Sequence, residues 1–252
     1  MLYRVDLNCD MGESFGRYHL GEDEAVMASI TSANVACGFH AGDPLVIDRT
    51  VRLAARHGVS VGAHPGYPDL QGFGRRVMDM TPEEVESFIL YQVSALAGIA
   101  RANGIALVHV KPHGALYNQA AKDERLAGAV ARGVMRFSRD LVLVGLAGSA
   151  LVAAGKEAGL RTANEGFPDR AYDADGSLRS RRLPGAVLES AADICEQAVR
   201  LATEGIVVTE GETHRRVAVD TLCIHGDHPG AAQHAAVVRQ ALEAQGIVVT
   251  SL

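Results

Sequence analysis

The sequence predicts an α/β fold built on a parallel sheet. Three observations point there. Short β-branched apolar runs alternate with amphipathic helical stretches along the whole chain, the pattern that calls for a closed barrel or an open doubly wound sheet. The 252 residues, 48% of them hydrophobic and 21% charged, match one such domain, and no composition shift marks a second. Residues 1–252 therefore read as a single domain. Finally, the chemistry-bearing side chains gather just after the strands, where ligands bind in parallel α/β folds.

In chain order, the first strand is expected at Tyr3–Asn8 and the second at Ser32–Ala36. A helix follows over Pro44–His57, with Asp43 as its cap, Pro at the first helical position and Gly58 as its stop. The third strand is Val59–Ala63; the helix after it spans Thr81–Asn103, opens on Thr-Pro-Glu-Glu and ends at Gly104. Ala106–Lys111 is the fourth strand, Lys122–Phe137 a helix, Leu141–Leu146 the fifth strand and Ser149–Ala158 a helix. Arg161–Asn164 is the sixth strand. Residues 167–184 form a long polar loop, and loops of that length in compact domains are usually functional or mobile. The helix Leu188–Thr203 precedes residues 206–219, which read as a β-hairpin turning at Glu-Gly. Thr221–His225 is the last strand and Gly230–Gln245 the last helix. The loop and the hairpin are decorations on the domain.

Composition excludes several functions. Lys and Arg number 24 against 30 Asp and Glu, a net charge of −6, so no basic footprint for nucleic acid is present. Trp is absent and aromatics are 5%, which argues against a base-stacking platform. The N-terminus is charged by Arg4 and shows no apolar signal core, and the longest apolar stretch, Leu141–Gly155, is shorter than the roughly 20 residues of a membrane span. The four cysteines form neither a disulfide framework nor a Cys-x-x-Cys zinc motif. No membrane association and a reducing cytoplasm are the expectations.

Asp6, Asn8 and Asp10 alternate, so an extended chain points all three to one side. Asn34 and His40 flank the end of the second strand, His64 follows the third, and Lys111 and His113 close the fourth in Lys-Pro-His-Gly. Glu165 and Asp169 follow the sixth; His225, Asp227 and His228 end the last. Singly, such residues are ordinary caps, turn formers or satisfied histidines, and His19, His57, His214 and His234 are read that way. As a set converging on one face they exceed what turn chemistry requires. Asp, Asn and His also suit Zn, Mn or Mg, although no compact signature such as His-Glu-x-x-His is present. Phosphate-loop, dinucleotide and nucleophile-elbow motifs are absent: Gly155-Lys156 runs into Glu157, and Gly72-Phe73-Gly74 into Arg75-Arg76. Cys9 and Cys37 lie near the face but read as apolar filler before nucleophiles. Arg179, Arg181 and Arg182 suit either a solvated loop or a lid that reaches for an anion.

Seven segments together resemble the LamB/YcsF family: Asp-Leu-Asn-Cys-Asp-Met-Gly-Glu (6–13), Asn-Val-Ala-Cys-Gly-Phe-His-Ala-Gly-Asp (34–43), Gly-Ala-His-Pro-Gly-Tyr-Pro-Asp (62–69), Gly-Phe-Gly-Arg-Arg (72–76), Val-Lys-Pro-His-Gly-Ala-Leu-Tyr-Asn (110–118), Glu-Gly-Phe-Pro-Asp-Arg-Ala-Tyr (165–172) and Leu-Cys-Ile-His-Gly-Asp (222–227). Pro168 departs from the family's more frequent Ala. The resemblance implies a (β/α) barrel variant of about seven parallel strands, related to the glycoside hydrolase/deacetylase superfamily. It implies ATP-dependent opening of 5-oxo-L-proline to L-glutamate, with release of ADP and phosphate, in a complex with subunits B and C. ATP is then a co-substrate and Mg its accompanying divalent ion; a homo-oligomer is compatible with this.

On that footing Asp10 or Glu165 is expected as base, Lys111 as oxyanion or phosphate clamp, His113 and His225 as a proton-transfer pair, and Asp227 as the orienter of His225. Asp6, Asn8, Asn34, His40 and His64 are expected to hold substrate, His40 and His64 with Asn8 alternatively a metal, and Arg181 to contact a carboxylate or phosphate. Two further readings stay open: a metal-dependent deacetylase or amidohydrolase acting without ATP, and a non-catalytic carbohydrate- or lactam-binding protein.

Overall fold

The computed structural model describes residues 3–181, 183–209, 213–225 and 230–252. Strands β1 (Arg4–Met11), β2 (Ser32–Ala36), β3 (Ser60–His64), β4 (Leu107–Val110), β5 (Val142–Leu146) and β6 (Arg161–Gly166) run parallel in chain order. Two short strands, β7 (Ile206–Val208) and β8 (His214–Arg216), pair antiparallel outside the barrel, as expected of a hairpin; its Glu-Gly turn lies outside the described residues. Strand β9 (Thr221–Ile224) pairs with both β6 and β1, which closes a barrel of seven parallel strands. A last short strand, β10 (Val248–Val249), adds to the N-terminal half of β1.

All seven expected barrel strands are present, with ends displaced by a few residues. Helix α1 (Asp23–Met27) has no counterpart among the expected elements. Helix α2 (Pro44–His57) matches the sequence expectation: the Asp43 carboxylate accepts from the amides of Leu45 and Val46, and Gly58 ends the helix at φ 66°. Helix α3 (Pro82–Ala102) carries a reciprocal capping box between Thr81 and Glu84. The segment expected as one helix over 122–137 begins two residues later, as α5 (Glu124–Phe137). Ahead of it stands α4 (Gly114–Ala120), which has no side-chain cap and so gives no start signal. Helices α6 (Ala150–Glu157), α7 (Ala191–Glu204) and α8 (Ala231–Ala244) complete the outer layer. No helix among the described residues is long and apolar enough to cross a membrane.

Strand alternation decides what faces where. On β1, Val5, Leu7 and Cys9 pack into the main apolar core, while Asp6, Asn8 and Asp10 bond to residues across the barrel interior. Packed α/β barrels fill their interior mainly with branched apolar side chains. Here only part of the interior is apolar: Val142, Val144 and Ala163 form a separate small cluster, with Leu252 against it. The rest is polar and buried, and it leads to the carboxyl ends of the strands. Room for it comes from Gly62, where a Cβ would overlap the His109 ring; the β3–β4 ladder shifts register at Val61/Gly62.

Candidate active site at the barrel mouth

Asp6 forms the floor of the polar interior. Its carboxylate accepts from Thr31, Ser32 and Thr221 hydroxyls at 2.8, 2.7 and 2.5 Å. Burial raises its pKa against those three donors. With its oxygens occupied, Asp6 supports the layer above; the substrate contact expected of it has no opening here. Asn8 stands over it, donating to Thr221 Oγ1 (2.6 Å) and Glu165 Oε1 (3.0 Å) and accepting from Asn34 Nδ2 (2.7 Å). Asn34 also donates to Asp10 (2.9 Å), and its Oδ1 accepts from His109 Nε2 (2.7 Å). Asn8 and Asn34 thus form a relay inside the barrel.

Lys111 is the hub. The side chain is 3% exposed, and its Nζ lies 2.8 Å from Glu165 Oε1, 3.0 Å from Asp10 Oδ1, 3.2 Å from Asn8 Oδ1 and 3.0 Å from Cys223 Sγ. Burial alone would drive the ammonium to lose its proton; Asp10 and Glu165 reverse this and hold its pKa well above the ordinary lysine value. Four acceptors already surround three N–H bonds. Lys111 therefore acts from beneath the site, and the direct phosphate clamp expected of it would require surrendering one of these partners. Glu165 is fully buried and takes a further bond from the Tyr117 hydroxyl at 2.7 Å. Asp10 is the more open carboxylate, and despite burial His64 and Lys111 hold its carboxyl well below the usual range.

A histidine group adjoins Asp10. His64 Nε2 is 3.3 Å from Asp10 Oδ2 and 2.9 Å from His113 Nδ1. His40 stacks on His113 with centroids 3.8 Å apart, and neither His40 nitrogen has a hydrogen-bond partner. Glu13 Oε1 is 3.6 Å from His113 Nδ1 and 3.7 Å from His40 Nε2. Glycines make this packing feasible: a Cβ at Gly66 would stand 2.6 Å from His40 Nδ1, and one at Gly74 2.9 Å from His113 Cδ2. Between Gly72 and Gly74, Phe73 adopts φ 55°, a left-handed conformation unusual for a bulky side chain, and its carbonyl accepts from His113 Nε2 at 2.8 Å.

His225 belongs to the same mouth across Phe167, whose ring stacks on it at 5.6 Å and lies 5.5 Å from the Lys111 ammonium. Its Nδ1 bonds Asp169 Oδ2 at 2.6 Å. The contacts couple His113 to His64 and His225 to Asp169, so His113 and His225 are not a bonded pair. Asp169 orients His225 through Nδ1; Asp227, the residue expected in that role, lies outside the described residues. Burial, with His64 nearby, also takes the His113 pKa down to about 3, which disfavours it as a proton donor. Arg181 is exposed and close enough to Asp169 and Arg170 to influence both: burial, aided by Arg181 and Arg75, draws the Arg170 guanidinium down to about 10. Arg75 lies 4.9 Å over the Phe73 ring. The loop 167–184 is anchored at its base, because the Gln197 amide donates to the carbonyls of Phe167, Pro168 and Arg170.

Glu13, His109 and Tyr117 join the site without being among the sequence-derived candidates. His109 lies two residues before Lys111 on β4, so alternation places it inward; Tyr117 is one helical turn after His113 on the unexpected α4. Cys9 and Cys37 are buried with their thiol pKa pushed up, Cys37 to about 12, which leaves them inert filler.

The LamB/YcsF family model matches residues 5–252. The chain belongs to the LamB/YcsF family. This LamB/YcsF chain is 54% identical over 245 residues to a protein of Chloroflexus aggregans named as the A subunit of 5-oxoprolinase, covering 97% of each chain. It is 53% identical over 246 residues to one of the same name from Pyrococcus furiosus, covering 98% of this chain and 96% of the relative. The crystal structure of a lactam utilization protein from Thermus thermophilus superposes with a TM-score of 0.94 at 46% identity, covering 99% of this chain and 100% of that one.

Proposed function

We propose that this LamB/YcsF chain is the A component of a 5-oxoprolinase and carries out the ring-opening half of an ATP-dependent reaction with subunits B and C. The observation that carries the proposal is the buried Asp10–Lys111–Glu165 triad, open to the mouth only through Asp10 and flanked by the Asp169–His225 pair. The names of the relatives supply the substrate; the chemistry is consistent with it.

A five-membered lactam has a stabilised, weakly electrophilic carbonyl. Transfer of the ATP γ-phosphoryl group to the lactam oxygen breaks the bond to ADP and makes the carbon electrophilic. Water then adds to that carbon, and Asp10, ionised and oriented by Lys111 and Asn34, takes its proton. The C–N bond breaks, its electron pair stays on nitrogen, and His225, oriented by Asp169, supplies the proton that makes the amine leave. A second water displaces phosphate from the resulting acyl phosphate. The sum is 5-oxoproline, ATP and two waters to glutamate, ADP and phosphate. Lys111 supplies a fixed positive field beneath the developing oxyanion. Arg181, with Arg75, suits the substrate carboxylate or a phosphate at the rim. Lacking a phosphate loop, the chain takes ATP, with its Mg, at a site completed by a partner protein of the complex.

The test is release of glutamate and ADP from 5-oxoproline by the chain alone and then with subunits B and C. The expected result is turnover only in the complex and only with ATP, lost in Asp10→Asn. Turnover by the isolated chain without ATP, abolished by chelator, would instead establish a metal-dependent amide hydrolase, the second reading, which the imidazole group at the mouth favours.

A further inference from the structure

The donor set of Glu13, His40, His64 and His113 does more than line the mouth. His64 Nδ1 lies 2.7 Å from the Lys111 carbonyl oxygen, and His113 Nε2 lies 2.8 Å from the Phe73 carbonyl oxygen. A carbonyl has no proton to give, so both nitrogens must carry one. In neutral rings this leaves the other two nitrogens, His64 Nε2 and His113 Nδ1, as bare lone pairs; they face each other at 2.9 Å, and His64 Nε2 also faces the Asp10 carboxylate at 3.3 Å. Two lone pairs at that separation repel unless a cation stands between or beside them. The His40 ring, fully buried and with neither nitrogen hydrogen-bonded, adds a third imidazole, and Glu13 Oε1 is within 3.7 Å of both His40 and His113. One donor atom from each of the four residues falls within 4.8 Å of the others.

We infer that Glu13, His40, His64 and His113 form a transition-metal site, of which zinc is the best-matched occupant. Ligand bonds of about 2.0–2.2 Å in a tetrahedron put neighbouring donors roughly 3.4 Å apart, close to the spacings between the imidazole nitrogens and Glu13. Three imidazoles with one carboxylate suit Zn²⁺ or Co²⁺, whereas Mg²⁺ prefers an oxygen shell and octahedral geometry. This ion is therefore distinct from any Mg²⁺ that accompanies ATP. The two backbone carbonyls are the outer partners expected around ligating histidines: each sets the tautomer that turns a lone pair inward. The strained Phe73 is explained as the residue that delivers one of them. A bound ion would supply Lewis acidity beside Asp10. The inference does not depend on which amide is the substrate.

The competing occupant is a single proton on the His64–His113 pair, held by the Asp10 carboxylate 3.3 Å from His64 Nε2. Full-length protein stripped with a chelator and then dialysed is titrated with ZnCl₂ by calorimetry, and with CoCl₂ while the visible spectrum is followed. Expected are one equivalent of Zn²⁺ per chain, an intense tetrahedral Co²⁺ spectrum, and a Tm that climbs with Zn²⁺ concentration. Glu13→Gln and His40→Gln, which keep near-isosteric packing, should each weaken Zn²⁺ binding by at least tenfold. Absence of stoichiometric Zn²⁺ binding, an octahedral Co²⁺ spectrum, or wild-type affinity in both folded variants would overturn the site and leave the shared proton. Because every readout is binding, failure here leaves the 5-oxoprolinase proposal standing, and failure of turnover leaves the metal site standing.

Discussion

The Lys111 ammonium lies 2.8 Å from an oxygen of Glu165, a carboxylate sealed completely from solvent. Such a pair is held by geometry, because each charge has lost its water and depends on the other. Lys111→Met should leave Asp10 and Glu165 facing each other without a cation and cost about 3–5 kcal/mol of stability. Urea unfolding checks this. The double variant Lys111→Met with Glu165→Gln should recover part of the loss, and a Lys111→Met protein as stable as the wild type would contradict the triad.

Glu165 Oε2 receives its hydrogen bond from the Tyr117 hydroxyl. Tyr117→Phe removes that donor and nothing else of size. A bond to a buried charged acceptor contributes about 1.5–3 kcal/mol, so the variant should fold with its midpoint in urea lowered accordingly. An unchanged midpoint would show that Glu165 draws nothing from the hydroxyl.

Gly62 exists for His109. A methyl group there would overlap the imidazole, and Gly62→Ala should destabilise by about 1–3 kcal/mol. Combining it with His109→Ala should give a cost well below the sum of the two single changes, since the clash is then gone. Thermal melts of the two singles and the double measure the coupling; strict additivity would mean that the two residues do not share the space.

Asp169 carries the pH prediction. Burial opposes its ionisation, but His225, Arg170 and Arg181 prevail and hold the folded-state carboxyl below the usual value of 3.8. A depressed carboxyl stabilises the fold fully above the unfolded-state pKa, and the contribution disappears as pH falls through the folded-state value. Acid denaturation of the wild type below about pH 4 should therefore be steeper than that of Asp169→Asn, by at most about 1.4 kcal/mol per pH unit for one proton. Superimposable acid limbs would rule out this linkage.

Much of the site is legible without coordinates. Convergence of Asp10, Lys111, His64, His113 and Glu165 follows from parallel strands ending on one face, and the contacts join all five in one network. Partnerships are less legible. The bond from His225 Nδ1 to Asp169, 56 residues away, has no signal in the local sequence, and Asp227, the neighbour expected to orient His225, lies outside the described residues. Helix α4 leaves no mark because Lys-Pro-His-Gly carries turn chemistry and no cap, and Tyr117 is hidden with it. Glu13 closes the first family-like segment but stands beyond the strand, where period-two alternation no longer says which way a side chain points.

The sequence by itself determined the strand–helix order, the caps of α2 and α3, and the residue types brought to the carboxyl ends of the strands, since these follow from local periodicity and turn chemistry. Only the tertiary structure decided that Asp6 is floor and Asp10 mouth, that Lys111 is enclosed by four acceptors, and which nitrogen of each histidine is turned inward. Those outcomes depend on closure of the barrel between β9 and β1, which sets Thr221 against Asp6 across 215 residues. Burial and the positions of backbone carbonyls are properties of that closure, and no short window of the chain contains them.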